Sequence, residues 1–467
     1  MQTSKESQDA IHRISPDNSQ EISSRFEELV GLLEEGTDRQ ITAHLESFHH
    51  SDLADAVGLI TGGLRKRLLA LVKVELDPDL LFELEDHLRH EVTDSLSPKE
   101  VAEVISEMDS DEAVQVLEDM DEEERVEILS EVPEEEREDI EVGLAYPEDT
   151  AGRRMQTDFV SVGTNWTVGQ TIDYLRDEED LPDEFFDLFV IDEDSKPLGV
   201  ISLSRILRSP RPTLMSEITD ETQVIVPAEM SQEEVPLLFE KYDLTTAGVV
   251  NGEGQLIGMI TVDDVMEVAR EEFEEDVLRL GGVGEENVDD GVIQASTKRF
   301  TWLLVNLGTA ILASLVIGMF DATLEQMVAL AVLMPIVASM GGNAGTQTLT
   351  ITVRALAMKD LTKYNAFRTF RKELIVGFLN GCLFACLAGL ITLFWFSHLE
   401  NAYLLGAIIA FAMIINLVVA GVSGVALPIL LEKMKVDPAV ASGVFVTTIT
   451  DVVGFLAFLG LASIFLL

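Results

Sequence analysis

The sequence predicts a multidomain chain: an all-α helical N-terminal domain, an α/β unit duplicated in tandem, a connecting helix and a polytopic α-helical membrane domain with five spans. Three observations carry this. The 467 residues divide sharply by charge: eight acidic and eight basic residues from Thr301 onward cancel, so the whole formal charge of −51 lies in residues 1–300. A β-turn-β-α pattern occurs twice in the middle of the chain. Five apolar runs, each long enough for the roughly 20 residues that a bilayer requires, fill the last third.

Residues 1–20, MQTSKESQDAIHRISPDNSQ, are polar, do not resemble a secretory signal and read as a disordered lead-in. From 21 to 145 apolar residues recur at spacings of three and four with few β-branched runs, which predicts short amphipathic helices. The stretch VAEVISEMDSDEAVQVLEDMDEEERVEILSEVPEEE (101–136) shows the pattern best. His49, His50, His87 and His90 fall here. A metal held by His87 and His90 is one reading, and solvent-facing imidazoles are the simpler one. A surface this acidic repels nucleic acid and attracts cations, so no nucleic-acid partner is expected.

The texture changes near Tyr146, and residues 146–264 read as a tandem pair. The pieces FFDLFVIDEDSKPLGVISLSRIL (185–207) and TTAGVVNGEGQLIGMITVDDVM (245–266) each give strand, turn, strand, helix. This unit resembles a pair of cystathionine-β-synthase (CBS) domains. The second copy carries Gly258, Thr261 and Asp264 in the spacing G-x-x-T-x-x-D, which CBS domains use to hold a nucleotide ribose. The first copy has Gly199 and Ser202 but then Arg205. The resemblance therefore implies at most one site, for a nucleotide such as ATP; a pair that binds no ligand is the alternative. Residues 265–298 begin with a strongly acidic helix, VMEVAREEFEEDVLRL, which GGVG ends. It joins the soluble half to the membrane half, where a mechanical coupler would sit.

Residues 299–467 hold the five apolar runs: Thr301–Phe320, Gln326–Val353, Leu374–Phe396, Tyr403–Leu431 and Ala439–Leu467. The second loop carries Arg354, Lys359, Lys363, Arg368, Arg371 and Lys372, and the fourth carries Lys433 and Lys435; the other two carry no Lys or Arg. The positive-inside rule then puts the basic loops and the acidic half in the cytoplasm and the C-terminus outside, in a cell membrane. Pro335 and GGNAGTQ (341–347) are expected to break the second span, as is tolerated where backbone is buried in protein or lines a wet cavity. Asn343 and Gln347 offer amide oxygens there, and Asn416 lies midway in the fourth span, on the path or as a helix-packing amide. Cys382 and Cys386 are the only cysteines; they form no disulfide framework and are expected as small buried packing residues.

The last run contains one ionised side chain, Asp451, twelve residues after Ala439. At about 1.5 Å per residue this places it near the bilayer midplane. A charge there costs at least about 2.5 kcal/mol, so it faces water, an ion or a partner. Thr447, Thr448, Thr450, Gly443 and Gly454 surround it in sequence. A cation path narrowed at Asp451 is the working expectation, and a protonated carboxyl used for helix packing is the alternative. Five spans seldom enclose a pore and one carboxylate cannot hold a divalent ion, so a homodimer is the economical arrangement.

The order of these parts, with YPEDTAGRRM (146–155), RFTWLLVNL (299–307), PIVASMGGNAGTQT (335–348), VRALAM (353–358) and DPAVASG…TTITDVVGF (437–455), resembles the MgtE family of magnesium channels and transporters over essentially the entire chain. The resemblance implies a homodimer in the lipid bilayer that admits Mg²⁺ along its two-fold axis. Asp451 matches the family's pore aspartate, and the carbonyl of Thr447 a neighbouring pore position. Asp264, Glu267, Glu272, Glu275 and Asp276 match regulatory Mg²⁺-binding acids on the second CBS copy and connecting helix. Glu233 and Asp243 match acids elsewhere in that copy, and Asp111 one in the N-terminal domain. Ser231 and Gln115 stand where acids are expected, and Gly443-Val444 where the family has a proline-containing pair. The implied activity is Mg²⁺ influx, gated by intracellular Mg²⁺ on the acidic domains. Transport of another divalent cation, such as Co²⁺ or Mn²⁺, and a non-transporting receptor that reads nucleotides are the alternatives. No nucleophile–base pair, phosphate loop or catalytic metal motif is present, so an enzyme is not expected.

Overall fold

The computed structural model describes residues 18–45, 47–60, 62–72, 77–118, 120–178, 181–182, 185–219, 224–283 and 292–466. The chain forms two compact units that divide between Val268 and Ala269.

The first unit opens with ten helices: α1 (Asn18–Glu35), α2 (Asp38–Leu45), α3 (His50–Leu59), α4 (Gly62–Val72), α5 (Pro78–Glu83), α6 (Asp86–Thr93), α7 (Pro98–Ile105), α8 (Ser110–Glu118), α9 (Glu122–Leu129) and α10 (Glu134–Leu144). Residues 18–20, expected in the lead-in, are instead the first turn of α1; the rest of that lead-in lies outside the described residues. Helices this short are marginal alone and owe their stability to packing. Here Leu29, Leu33, Ile41, Leu68, Leu81, Leu88, Ile105 and Leu117 share one core. Local signals set the starts. Ser97 and Glu100 form a reciprocal capping box ahead of α7, and Asp77 caps α5, each followed by a proline in the first turn.

The tandem unit has two sheets of identical topology. In the first, β1 (Ser161–Gly163) runs parallel to β2 (Asp187–Ile191), which pairs antiparallel with β3 (Pro197–Ser202). The second repeats this with β4 (Ile225–Pro227), β5 (Thr246–Val250) and β6 (Leu256–Thr261). The two hairpin turns are built alike. The Asp192 carboxylate accepts from Asp194 and Lys196 N–H at 2.9 Å, as the Asn251 amide oxygen does from Glu253 and Gln255 at 3.0 Å. Each turn needs one positive φ, taken by Ser195 (60°) and Gly254 (81°). Between the strands lie α11 (Val168–Asp177) in the first copy and α14 (Val235–Tyr242) in the second; α12 (Leu203–Arg208) and α13 (Met215–Ile218) link the copies. The acidic helix follows β6 as α15 (Val262–Leu280) and stops where Gly282 turns left-handed at φ 72°.

In the second unit, α16 (Val292–Gly318), α18 (Val328–Ala357), α19 (Ala366–Trp395), α20 (Ala402–Lys433) and α21 (Pro438–Phe465) are long and apolar enough to cross a membrane. A short α17 (Asp321–Gln326) lies between the first two. The expected break in the second span is absent, because α18 runs unbroken through Pro335 and GGNAGTQ. Proline forfeits one helix hydrogen bond without ending the helix, and the glycines serve close approach instead. A Cβ at Gly345 would lie 2.4 Å from Val446 of α21, and one at Gly377 of α19 would lie 2.7 Å from the Leu417 carbonyl of α20. The cysteines also depart from expectation: Cys382 is half-buried and Cys386 exposed. The buried stripe of α19 is Gly377, Gly381, Ala385, Ala388 and Gly389, and both cysteines lie off it.

Candidate functional site

One carboxylate in the second unit and a group of carboxylates in the first stand out. In the second unit Asp451 occupies the middle of α21, half-buried, and makes no hydrogen bond or ion pair among the described residues. The threonines around it bond to their own helix. Thr447 Oγ1 donates to the carbonyls of Gly443 (3.0 Å) and Val444 (2.9 Å), Thr448 Oγ1 to Val444 (2.6 Å), and Thr450 Oγ1 to the Thr447 carbonyl (2.9 Å). The Thr447 carbonyl is thus already engaged, and the Asp451 carboxylate is the uncommitted acceptor.

Neighbouring helices fix α21 tightly. Gly345 abuts Val446, and Gly342 comes within 3.7 Å of the Thr447 methyl measured from its would-be Cβ. Asn416 of α20 is fully buried; its Nδ2 donates to the Val337 carbonyl at 2.8 Å while its oxygen has no partner among the described residues. A Cβ at Gly341 or Gly454 would strike that amide, so Asn416 packs three helices together away from the exposed surface. On α18, Ser339, Asn343, Thr346 and Thr350 form an exposed polar stripe at spacings of four, three and four, next to Gly342. Hydrocarbon cannot satisfy an amide such as that of Asn343, so this face needs water or protein.

In the first unit the carboxylates gather at the start of α8 and the start of α15. Asp264, third residue of α15, accepts from Thr261 N–H (3.1 Å) and Thr261 Oγ1 (2.5 Å). Asp111 is 1% exposed; its carboxyl lies within hydrogen-bond reach of that of Asp264, and its oxygens have no other partner among the described residues. Burial, then Asp264, Glu112 and Asp109, hold Asp111 well above the usual carboxylate range. Burial is also the main reason that Asp264 is pushed up to about 6. Glu112 is pushed up to about 8 by burial first and then by Asp109, Asp79, Asp264 and Glu267. Burial, Asp79 and Asp263 raise Asp109 in turn. The charged neighbours that act on these four are all carboxylates. Ser110 Oγ accepts from Thr157 N–H at 2.8 Å, which ties α8 to the tandem unit beside them. The two cations nearest in sequence to the tie are committed elsewhere: Arg154 Nε donates to Gln232 Oε1 at 3.0 Å, and Arg153, 5% exposed, pairs with Glu118 at 3.4 Å and donates to the carbonyls of Leu144 (2.8 Å) and Tyr146 (3.3 Å).

This arrangement suits a divalent cation. The buried Asp111 carboxyl and the crowded like charges beside it are what a hard oxygen-seeking ion relieves. Of the sequence-predicted acids, Asp111, Asp264 and Glu267 come together here. Glu233, exposed in a 3₁₀ turn, and Asp243, which ends α14 with φ 52°, are not among the carboxylates acting on the cluster. Glu272, Glu275 and Asp276 lie half-buried on the C-terminal half of α15. Glu275 pairs with Arg279, which also donates to Asp437 Oδ2 at 2.7 Å. Gly258 leaves room for Met155 and Gln156, whose atoms lie 2.6–2.9 Å from its would-be Cβ, so its visible role is packing.

Sequence reading missed Asp79, Asp109 and Glu112, because acids in a first helical turn are ordinary caps and only their burial distinguishes them. His87 and His90 join no metal-binding group among the described residues; the group that does form there is His50 with Asp77 and Asp79, mostly exposed. Its histidine lies far from its carboxylates in sequence, so spacing gave no signal.

Comparisons with known proteins follow the same division. Residues 334–461 match the family model MgtE, described as a divalent cation transporter; residues 48–149 match the MgtE intracellular N domain. Residues 151–211 and 215–271 each match the CBS domain. The chain is 33% identical over 332 residues to the magnesium transporter MgtE of Thermus thermophilus, covering 70% of this chain and 72% of that protein. It is 32% identical over 328 residues to the magnesium transporter MgtE of Enterococcus faecalis, again 70% and 72%. With its Bacillus subtilis counterpart the identity is 29% over 439 residues, 94% of this chain and 96% of the other. Among solved structures, the cytosolic domain of the Mg²⁺ channel MgtE in complex with ATP matches 51% of this chain and 98% of that one, at 29% identity and a TM-score of 0.47.

Proposed function

Because the chain belongs to the MgtE family of magnesium transporters, we propose that it carries Mg²⁺ inward across the cell membrane, through a path that two copies share at Asp451. The observation that carries this reading is the half-buried, uncommitted carboxylate in the middle of α21. Magnesium gives up its water reluctantly, so a pore that takes it meets a hydrated ion with outer-sphere oxygens. A carboxylate from each of two copies, with the polar stripe of α18 beside it, supplies such acceptors without thiolate or imidazole. That stripe, exposed on a span, also supports a second copy or a water-filled path against it.

Gating follows from the first unit. Asp111, Asp264 and Glu267 face one another across the helical domain and the second CBS copy, and Asp79, Asp109 and Glu112 add to the repulsion. Mg²⁺ between them favours the packed arrangement, and its loss lets the surfaces part, so the ion biases two states by differential binding. Glu233, Asp243, Glu272, Glu275 and Asp276 extend the acidic surface to other contacts of the open and closed forms. ATP at Gly258, Thr261 and Asp264 would compete with this use of Asp264. The acidic half is on the cytoplasmic side and the C-terminus outside, as the basic loops direct.

The test is Mg²⁺ uptake into liposomes by the intact chain and by Asp451→Asn. The substitution keeps size and removes charge, and uptake is expected to fall at least tenfold at equal reconstitution. Uptake that survives unchanged would remove Asp451 from the path.

A further inference from the structure

Glu373 is a second carboxylate buried in the membrane unit, and nothing in the transport path uses it. It is the eighth residue of α19, immediately before the apolar run that begins at Leu374, and it is 6% exposed. Its partners are weak. Thr348 Oγ1 of α18 donates to Oε2 at 3.3 Å, and Lys372 Nζ lies 3.4 Å from Oε1. The Lys372 side chain is 66% exposed, so the counter-charge to a buried carboxylate is a tethered ammonium free to swing away. An unpaired buried carboxylate costs several kcal/mol, so another cation must replace the lysine when it leaves.

Room for one is present. A cavity of about 230 Å³ opens beside Glu373 between α18, α19 and α20, with Gln347, Thr348, Lys372 and Asn380 as its other polar lining. Six waters at about 30 Å³ each occupy roughly 180 Å³, so a magnesium ion fits there with its hydration shell intact. The acceptors are a carboxylate, two carboxamide oxygens and a hydroxyl, with no imidazole or thiolate, which suits a hard cation. The cavity is separate from the candidate path. It uses Ala344, Gln347 and Thr348 of α18 and no residue of α21, whereas Gly342 and Gly345 of the same helix face Thr447 and Val446.

We infer that the cavity beside Glu373 is a binding site for a hydrated divalent cation, which exchanges with the Lys372 ammonium. The site stands whether or not Asp451 lines the pore, so the uptake experiment above and the one below can fail separately.

The probe is a single cysteine at Val376→Cys, which lines the cavity, in full-length protein with Cys382 and Cys386 changed to alanine, reconstituted in phosphatidylcholine–phosphatidylglycerol nanodiscs. The rate of modification by a charged methanethiosulfonate is measured with Mg²⁺, with hexaamminecobalt(III) and with matched NaCl. Modification is expected to be slowed about tenfold at a Mg²⁺ concentration ten times its midpoint, equally by hexaamminecobalt(III), and not by NaCl. Glu373→Gln is expected to abolish this protection, and Lys372→Gln to lower the Mg²⁺ midpoint because it removes the competing ammonium. A cysteine that never reacts, protection that survives Glu373→Gln, protection by NaCl alone, or a midpoint raised by Lys372→Gln would each overturn the assignment. The lysine variant keeps the question open to refutation even if Glu373→Gln does not fold.

Discussion

Glu112→Gln removes one charge from the acidic cluster while keeping its shape. In the packed arrangement the Glu112 carboxyl is pushed up to about 8, burial first and then Asp109 and Asp79. Set against an ordinary value near 4.5, that displacement corresponds to at most about 5 kcal/mol on the ionised form. Glu112 is only half-buried, so solvent screens it and about 2 kcal/mol is a fairer figure. The packed form holds the proton more firmly than a free carboxyl does. The stability it contributes is therefore complete below about pH 4.5 and lost as pH rises through about 8. At pH 8.5 a neutral glutamine relieves the repulsion, and 2 kcal/mol corresponds to about a thirtyfold lower Mg²⁺ concentration for packing. The difference should shrink below pH 6. Without Mg²⁺, acidification from pH 8.5 to 6 should itself favour packing in the parent and do so less in the variant. The assay is energy transfer between labels at Leu59→Cys and Tyr242→Cys in the full-length protein lacking its native cysteines, at constant ionic strength. A Mg²⁺ midpoint that rises in Glu112→Gln would show Glu112 to be a ligand rather than a source of repulsion, and would refute this reasoning.

Two further substitutions test the scaffold. Arg153→Met abandons the ion pair with Glu118 and the bonds to Leu144 and Tyr146 carbonyls, all around a side chain 5% exposed. A loss of about 3 kcal/mol is expected in urea unfolding of the soluble half, and less than about 1 kcal/mol would mean that the pair is expendable. Gly345→Leu would drive side-chain atoms into Val446, already 2.4 Å from a bare Cβ, and should abolish uptake, whereas Gly342→Ala, with 3.7 Å to Thr447, should leave it intact. Equal uptake by both would show that the contact between α18 and α21 does not shape the path.

The features that were legible in the sequence are those that local chemistry writes. Turn residues Asp192 and Asn251 sit at matching places in DEDSK and NGEGQ, and they build matching turns. The apolar runs became spans because a helix that satisfies its own backbone is what hydrocarbon permits. Asp451 was visible because one charge in such a run has few innocent explanations. By contrast, GGNAGTQ suggested a broken helix, since glycine and proline punctuate soluble chains; among packed spans the same residues admit Val446 and the Asn416 amide. Burial of Asp111 was equally invisible, because Asp109, Asp111 and Glu112 look like any acidic first turn until α15 packs near them. Glu373 hid in a run of basic loop residues, where a lone acid reads as solvated.

Magnitudes also decide which contacts can move a pore. Asp437 joins the connecting helix to the last span with one side chain: Oδ2 accepts from Arg279 at 2.7 Å, while Oδ1 caps α21 by accepting from Ala439 N–H at 2.7 Å. The Asp437 and Arg279 side chains are 33% and 29% exposed, which puts the pair nearer the surface class, worth about 1 kcal/mol or less. A contact of that size can set where α15 meets α21, but it cannot hold an ion path shut. The acidic cluster works on a larger scale, because several like charges act together and Asp111 is buried against Asp264. Under the proposed gating, the energy that separates open from closed is therefore supplied where Mg²⁺ meets Asp111 and Asp264. Under the same proposal, Asp437 is the contact through which that movement would reach the helix that carries Asp451.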